Sequence, residues 1–97
     1  MYAAEVQTAL EAVDGVAEAA VVGLPDARRG ERVGAAVRMM PGRSLSPEFI
    51  RSAVAATLTP YKVPSVVIVA ASLPLTTTGK IKRQDLRAML IAAEVST

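Results

Sequence analysis

The sequence of 97 residues contains no cysteine and no histidine. The usual zinc ligands, thiol nucleophiles, disulfides and imidazole general bases are therefore missing, and any chemistry must use carboxylates, lysines, hydroxyl groups or the main chain. Tyr2, Phe49 and Tyr61 are the only aromatic residues. These are too few for the stacking platforms of a single-strand or RNA binder. We expect no metal site in this chain and no nucleic-acid partner.

Long apolar runs without charge are also missing. Glu5, Glu11 and Asp14 interrupt the apolar residues near the N-terminus, so we expect neither a signal peptide nor a membrane span, and a cytoplasmic location. The apolar content is 52% and the formal net charge is +2. A chain of this length and composition is expected to form one globular domain, residues 1–97, around a modest core.

Hydrophobic periodicity and turn residues predict the elements along the chain. Helices are predicted at residues 4–13, from Pro47 to just before Pro60, and from about Lys82; strands are predicted at 16–24, 32–40 and 66–69. The order α-β-β-α-β-α predicts an α+β fold, a small two-layer sandwich in which the helices pack on a mixed sheet of about three strands.

Several local signals refine this prediction. Ser46 followed by Pro47 is typical of a helix start, with the hydroxyl as N-cap. Pro25-Asp26 is expected to end the first strand. Residues of the second strand alternate with a period of two, which predicts that one face of this strand is exposed. The run of four β-branched residues at 66–69 predicts a central strand covered on both faces.

The stretch PLTTTGKIKR, residues 74–83, fits neither a helix nor a strand. It is not a phosphate-binding P-loop, because Pro74 stands where that motif has its first glycine and Ile81 follows Lys80 where it has Ser or Thr. A lysine on a polar loop can offset charge in phosphoryl transfer. Most surface lysines are only solvated charges. The residues of this stretch leave both interpretations open.

Two longer segments carry a resemblance to a known family. EVQTALEAVDGVAEAAVVGLPDARRGERVGAAV and YKVPSVVIVAASLPLTTTGKIKRQDLR closely resemble the C-terminal domain of the adenylate-forming superfamily, which includes acyl- and aryl-CoA synthetases, peptide-synthetase adenylation domains and beetle luciferases. The similarity extends from about Tyr2 to Leu90. Its most specific element is the spacing of Pro74, Gly79, Lys80 and Arg83.

The resemblance implies a mobile lid on a larger N-terminal domain that binds ATP and a carboxylic acid. It implies that Lys80 enters the active site for acyl-adenylate formation, and that the lid then rotates to help build the CoA channel for thioester formation. The complete enzyme would use ATP with Mg²⁺ and CoA, whereas this domain alone would bind none of them and be inactive. The implied site residues are Lys80 as the catalytic group, with Gly79, Thr78, Tyr61, Lys62 and Val63 near substrate or cofactor.

Two other functions stay open. The same lid occurs in adenylation domains that load a carrier protein, although Ile81-Lys82-Arg83 after Lys80 is more similar to the CoA ligases. A stand-alone interaction module without catalytic function is the alternative from another class.

Overall fold

A computed structural model describes residues 3–28 and 30–95 of the chain. Within these ranges the elements follow the predicted order. The helices are α1 (Ala3–Glu11), α2 (Pro47–Ala55) and α3 (Arg83–Val95), and the strands are β1 (Val16–Asp26), β2 (Gly30–Met39) and β3 (Val66–Val69). A 3₁₀ helix, Pro60–Lys62, lies between α2 and β3. The predicted α+β class with a three-stranded mixed sheet is confirmed.

The sheet has the strand order β1-β2-β3. β1 and β2 form an antiparallel hairpin, whereas β3 pairs with β2 in parallel, from Gly34 opposite Val66 to Val37 opposite Val69. β2 is therefore the central strand and is buried from Val33 to Val37. The predictions of a half-exposed second strand and a fully covered third strand are wrong, since β3 is an edge strand with Val69 41% exposed.

β1 is longer than predicted, because Pro25 and Asp26 continue the strand and pair with Glu31 and Gly30. A proline is tolerated there because β1 lies at the edge of the sheet, where its missing N–H removes no essential ladder bond.

Helices cover both faces of the sheet, so the domain has three layers where two were expected. Alternate strand residues point to opposite faces, and the buried side chains separate accordingly. On one face, α1 and α2 contribute Val6, Leu10, Ile50 and Val54, which pack with Ala19, Val21, Ala35 and Val37. On the other face is a smaller cluster, hereafter the α3-side core, formed by Leu86 and Leu90 of α3 with Ala20, Val22, Leu24 and Ala36.

The start of α2 forms as predicted. Ser46 Oγ accepts a hydrogen bond from the Phe49 N–H at 3.1 Å, and Pro47 occupies the first turn. Apolar residues that follow two of the helices also pack against the core: Val13 lies beyond the end of α1, and Leu58 lies beyond the end of α2.

Candidate functional site

The segment between β3 and α3 folds into a miniature hairpin, residues 74–82, called here the Lys80 hairpin. The Lys82 N–H donates to the Pro74 carbonyl at 2.8 Å. Leu75 and Ile81 face each other across an isolated antiparallel bridge. The stretch for which the sequence predicts neither a helix nor a strand is therefore held by local main-chain hydrogen bonds outside the central sheet.

The tip of the hairpin is a three-residue loop between Thr76 and Lys80. The Thr76 N–H donates to the Lys80 carbonyl at 2.7 Å, and the Gly79 N–H donates back to the Thr76 carbonyl at 2.9 Å. Gly79 has φ +85°, a left-handed conformation that glycine adopts without steric cost. This combination is the G1-bulge arrangement of a three-residue hairpin loop. Lys80 follows immediately and begins the returning arm.

The side chain of Lys80 is exposed. Within the described residues its ammonium forms no ion pair. The hairpin beneath it is anchored, because Leu73 and Ile81 are half-buried against the α3-side core. The domain therefore presents the Lys80 side chain on a polar loop that is fixed at its base.

Gly79 and Thr78, the two residues predicted to lie near substrate beside Lys80, are both exposed on this loop. The Thr78 hydroxyl lies 3.1 Å from the Thr76 hydroxyl. An added Cβ at Gly79 would have no heavy atom within 4 Å. The surface around the loop tip is open to a partner.

Tyr61, Lys62 and Val63 form the second predicted group and lie in and just after the 3₁₀ helix. Tyr61 is 52% exposed. The ammonium of Lys62 is 2.8 Å from Glu5 Oε1 and 5.8 Å from the centre of the Tyr61 ring. Val63 packs against the core on the side of α1 and α2. Lys62 is thus engaged with α1, and Tyr61 offers the more accessible surface.

The structure does not bring these two groups together. The 3₁₀ helix precedes β3 and is linked to α1 through Lys62, whereas the Lys80 hairpin follows β3 and packs on the α3-side core. The two groups therefore occupy different sides of the sheet, beyond opposite ends of the same strand.

Sequence reasoning missed two residues of these groups. Glu5 is the ion-pair partner of Lys62 from 57 positions away, and no local pattern indicates such a contact. In the sequence Thr76 is one of three consecutive threonines, and only the structure shows that its hydroxyl accepts a hydrogen bond from the Lys80 N–H, four residues later.

Two grooves lie away from Lys80. One of about 610 Å³ runs along the outer edge of β3, between Arg51 of α2 and Glu94 of α3. Another of about 290 Å³ lies beside Arg43 and Met40. Neither groove is lined by Lys80, whose side chain is exposed at the surface.

Shifted pKa values mark two ion pairs outside the candidate site. A hydrogen bond from Arg32 is the main cause that lowers the pKa of Glu94, against an opposing effect of burial. A hydrogen bond from Arg43 is likewise the main cause that lowers the pKa of Asp14. Both are carboxylates stabilised by a neighbouring guanidinium, which indicates a structural function.

Clusters of three or more His, Cys, Asp or Glu side chains able to hold a metal ion are not found in residues 3–28 and 30–95. In the same ranges, every helix is too short or too polar to cross a membrane.

Comparison with known proteins decides the family. Residues 5–80 match the family model described as AMP-binding enzyme C-terminal domain, a range that includes the 3₁₀ helix and ends at Lys80. The chain belongs to this family. The resemblance read from the sequence is thereby confirmed.

Relatives of this family domain are ligases. A fatty acid–[acyl-carrier-protein] ligase of Streptomyces coeruleorubidus is 41% identical over 87 residues, which cover 90% of this chain and 17% of the relative. An acetyl-coenzyme A synthetase of Methanothrix soehngenii is 41% identical over 95 residues, covering 95% of this chain and 14% of the synthetase.

A solved structure, ATP-bound MatB from Rhodopseudomonas palustris, superposes with a TM-score of 0.82 at 31% identity. The match covers 92% of this chain and 18% of MatB. This chain thus spans less than a fifth of the length of each of these relatives, 17%, 14% and 18%.

Proposed function

We propose that the chain is the mobile C-terminal lid of an ATP-dependent ligase that joins a carboxylic acid to the thiol of CoA through an acyl-adenylate. Lys80 supplies positive charge to the adenylation step. The observation that carries the proposal is the placement of Lys80, an exposed ammonium on an anchored hairpin, without an ion pair within the described residues. Family membership and the names of the relatives support it.

The chemistry of adenylation explains why such a lysine is useful. A carboxylate oxygen attacks the α-phosphorus of ATP, a P–O bond forms, and the bond from that phosphorus to the pyrophosphate oxygen breaks. Nucleophile and target are both anions, and negative charge develops on the leaving pyrophosphate. An ammonium delivered at that point stabilises the transition state more than the ground state, which is the condition for raising kcat. Lysine suits the task because its compact charge sits on a long stem.

The larger N-terminal domain is the proposed partner of the lid, and it is proposed to hold ATP, the acid and the Mg²⁺ that accompanies ATP. Among the described residues of this chain, no group of three or more His, Cys, Asp or Glu side chains could hold a metal ion, and Mg²⁺ that accompanies ATP is usually held by one or two carboxylates together with the phosphates. The 97-residue chain alone is expected to form no acyl-adenylate, and a cytoplasmic location stays a prediction.

Thioester formation is proposed to use the other group of residues. Tyr61 presents an exposed ring beside the 3₁₀ helix, and Val63 fixes the following turn to the core. Lys62 is already paired with Glu5, so it supports the shape of this surface in preference to binding a CoA phosphate. Because this surface and the Lys80 hairpin face different sides of the sheet, rotation of the lid would exchange one for the other.

A carrier protein is the second candidate acceptor, because one relative is an acyl-carrier-protein ligase. The two acceptors share a phosphopantetheine thiol and differ in what surrounds it. Thioester formation with free CoA and with a phosphopantetheinylated carrier protein, measured side by side in the complete enzyme, separates them. If the enzyme forms the thioester with the carrier protein and not with CoA, the carrier protein takes the place of CoA as the proposed acceptor.

The test of the lysine uses two neighbouring variants of the complete ligase, Lys80→Ala and Lys82→Ala. Both lysines are exposed on the returning arm of the hairpin. We expect Lys80→Ala to lower the rate of acid-dependent ATP–pyrophosphate exchange about 100-fold or more, the scale of losing one preorganised electrostatic contact. Lys82→Ala should change it by less than about threefold, under 1 kcal/mol of barrier. Equal effects of the two variants would contradict the assignment. Absence of any acyl-adenylate formation by the wild-type enzyme would favour the stand-alone interaction module.

A further inference from the structure

Thr76 makes more hydrogen bonds at the tip of the hairpin than its neighbours. Its N–H donates to the Lys80 carbonyl, and its carbonyl accepts a hydrogen bond from the Gly79 N–H. Its hydroxyl oxygen also accepts a hydrogen bond from the N–H of Lys80 at 3.1 Å, and it lies 3.1 Å from the hydroxyl of Thr78. One half-buried side chain therefore contacts both sides of the loop that carries Lys80.

The hairpin geometry explains why the hydroxyl is needed. In a regular antiparallel pair, two opposite residues exchange both N–H···O=C bonds. Here the Thr76 carbonyl is taken by the Gly79 N–H at 2.9 Å, so the Lys80 N–H has lost its regular main-chain acceptor. The Thr76 hydroxyl replaces that acceptor. An apolar side chain at position 76 would leave the Lys80 N–H to water or to a partner's surface.

We propose that Thr76 is a positioning residue for Lys80: its hydroxyl fixes the main chain at Lys80 and so sets the direction in which the ammonium leaves the hairpin. This inference rests on the proposed function of Lys80 in adenylation. A lysine side chain has many rotamers, and fixing its main chain removes part of the freedom that the active site would otherwise have to restrict. Thr76 itself touches neither the substrate nor the reacting atoms.

The experiment compares three variants of the complete ligase. Thr76→Val keeps the shape of the side chain and removes the acceptor. Thr76→Ser keeps the acceptor and loses a methyl group. Thr77→Val is the matched control, because Thr77 is the exposed neighbour whose hydroxyl forms no hydrogen bond to the described residues.

For Thr76→Val we expect kcat of adenylation to fall five- to tenfold with the KM values for ATP and acid unchanged, the size expected for one hydrogen bond that acts in the transition state. Conversion of preformed acyl-adenylate to thioester should stay within about twofold of wild type. Thr76→Ser and Thr77→Val should both retain the wild-type rate of adenylation. An equal loss in both half-reactions, or a loss that Thr76→Ser fails to rescue, would overturn the positioning function.

A double variant separates this inference from the proposed function. If Thr76 acts through Lys80, adding Thr76→Val to Lys80→Ala should cause no further loss of adenylation. A further five- to tenfold loss would show that Thr76 acts independently and would overturn the inference. Should Lys80→Ala leave adenylation intact, the proposed function fails. Should only Lys80→Ala slow adenylation, while Thr76→Val does not, the positioning inference alone fails.

Discussion

Arg32 and Glu94, which are 62 residues apart in the chain, form a bidentate ion pair between the start of β2 and the last turns of α3. Nη1 of Arg32 donates to Oε2 of Glu94 at 2.6 Å, and Nη2 donates to Oε1 at 2.5 Å. The same guanidinium donates through Nε to the Pro25 carbonyl at 3.2 Å. The pair attaches α3 to the β1–β2 hairpin. α3 carries Leu86 and Leu90, against which the Lys80 hairpin is anchored.

Glu94→Gln should lower the free energy of unfolding by about 1 kcal/mol, near the upper end for partly exposed ion pairs because both oxygens are engaged. The amide retains one acceptor and loses the charge. Urea unfolding of the variant and wild-type chains measures the difference. Asp14→Asn is the control, because it breaks a pair with Arg43 in which the Asp14 side chain is 92% exposed. Asp14→Asn should lower the free energy of unfolding by clearly less than Glu94→Gln. An equal decrease in the two variants would contradict a special contribution of the ion pair between Arg32 and Glu94.

The contribution of Glu94 should depend on pH in a defined direction. Arg32 lowers the pKa of Glu94 in the folded chain, below the ordinary unfolded value of about 4.3. The folded state therefore binds the proton less readily than the unfolded state. Above the unfolded pKa, the ion pair contributes its full stabilisation to the folded state. As the pH falls through the folded pKa, that stabilisation is lost. The stability difference between wild type and Glu94→Gln should be constant from about pH 7 to 6 and shrink below about pH 5. If the stability difference between wild type and Glu94→Gln instead grew as the pH falls, the predicted direction of the pH dependence would be wrong.

Gly79→Ala tests whether the shape of the loop matters for Lys80. Gly79 has φ +85° and Gly42 has φ +77°, and neither has a heavy atom within 4 Å of an added Cβ. Alanine should therefore cost about 1 kcal/mol of backbone strain at either position. In the complete ligase only Gly79→Ala should slow adenylation, on the order of tenfold, because a misdirected lysine loses transition-state stabilisation. Gly42→Ala provides the matched strain in a turn after β2. Equal slowing by both would point to a general loss of folded enzyme.

Local signals predicted local structure well. Ser46 was identified as an N-cap because that interaction spans three residues. Hydrophobic periodicity predicted α1 and α2, and the apolar residues that recur along them are buried in the core. Such features depend on neighbouring residues, so the sequence alone contains the necessary information.

The features that the sequence predicted wrongly depend on pairing between strands that are distant in the chain. Four β-branched residues at 66–69 predicted a strand correctly, but its edge position depends on β2 pairing with β1 as well. Pro25 predicts the end of a strand, whereas the structure tolerates it within β1 because β1 lies at the edge of the sheet. At the site, the resemblance to the adenylate-forming family implied Lys80, and its function stays a proposal. The Thr76 hydroxyl is informative only in the structure, where the Gly79 N–H donates to the Thr76 carbonyl and the Lys80 N–H donates to the Thr76 hydroxyl.

The most direct measurement of the central claim compares the two half-reactions in Lys80→Ala of the complete ligase under single-turnover conditions. Acyl-adenylate formation from ATP and acid should slow about 100-fold or more, while thioester formation from supplied acyl-adenylate should stay within about threefold of wild type. That result would show that the ammonium of Lys80 acts in adenylation alone. Adenylation within about threefold of wild type, or an equal large loss in both half-reactions, would contradict the account.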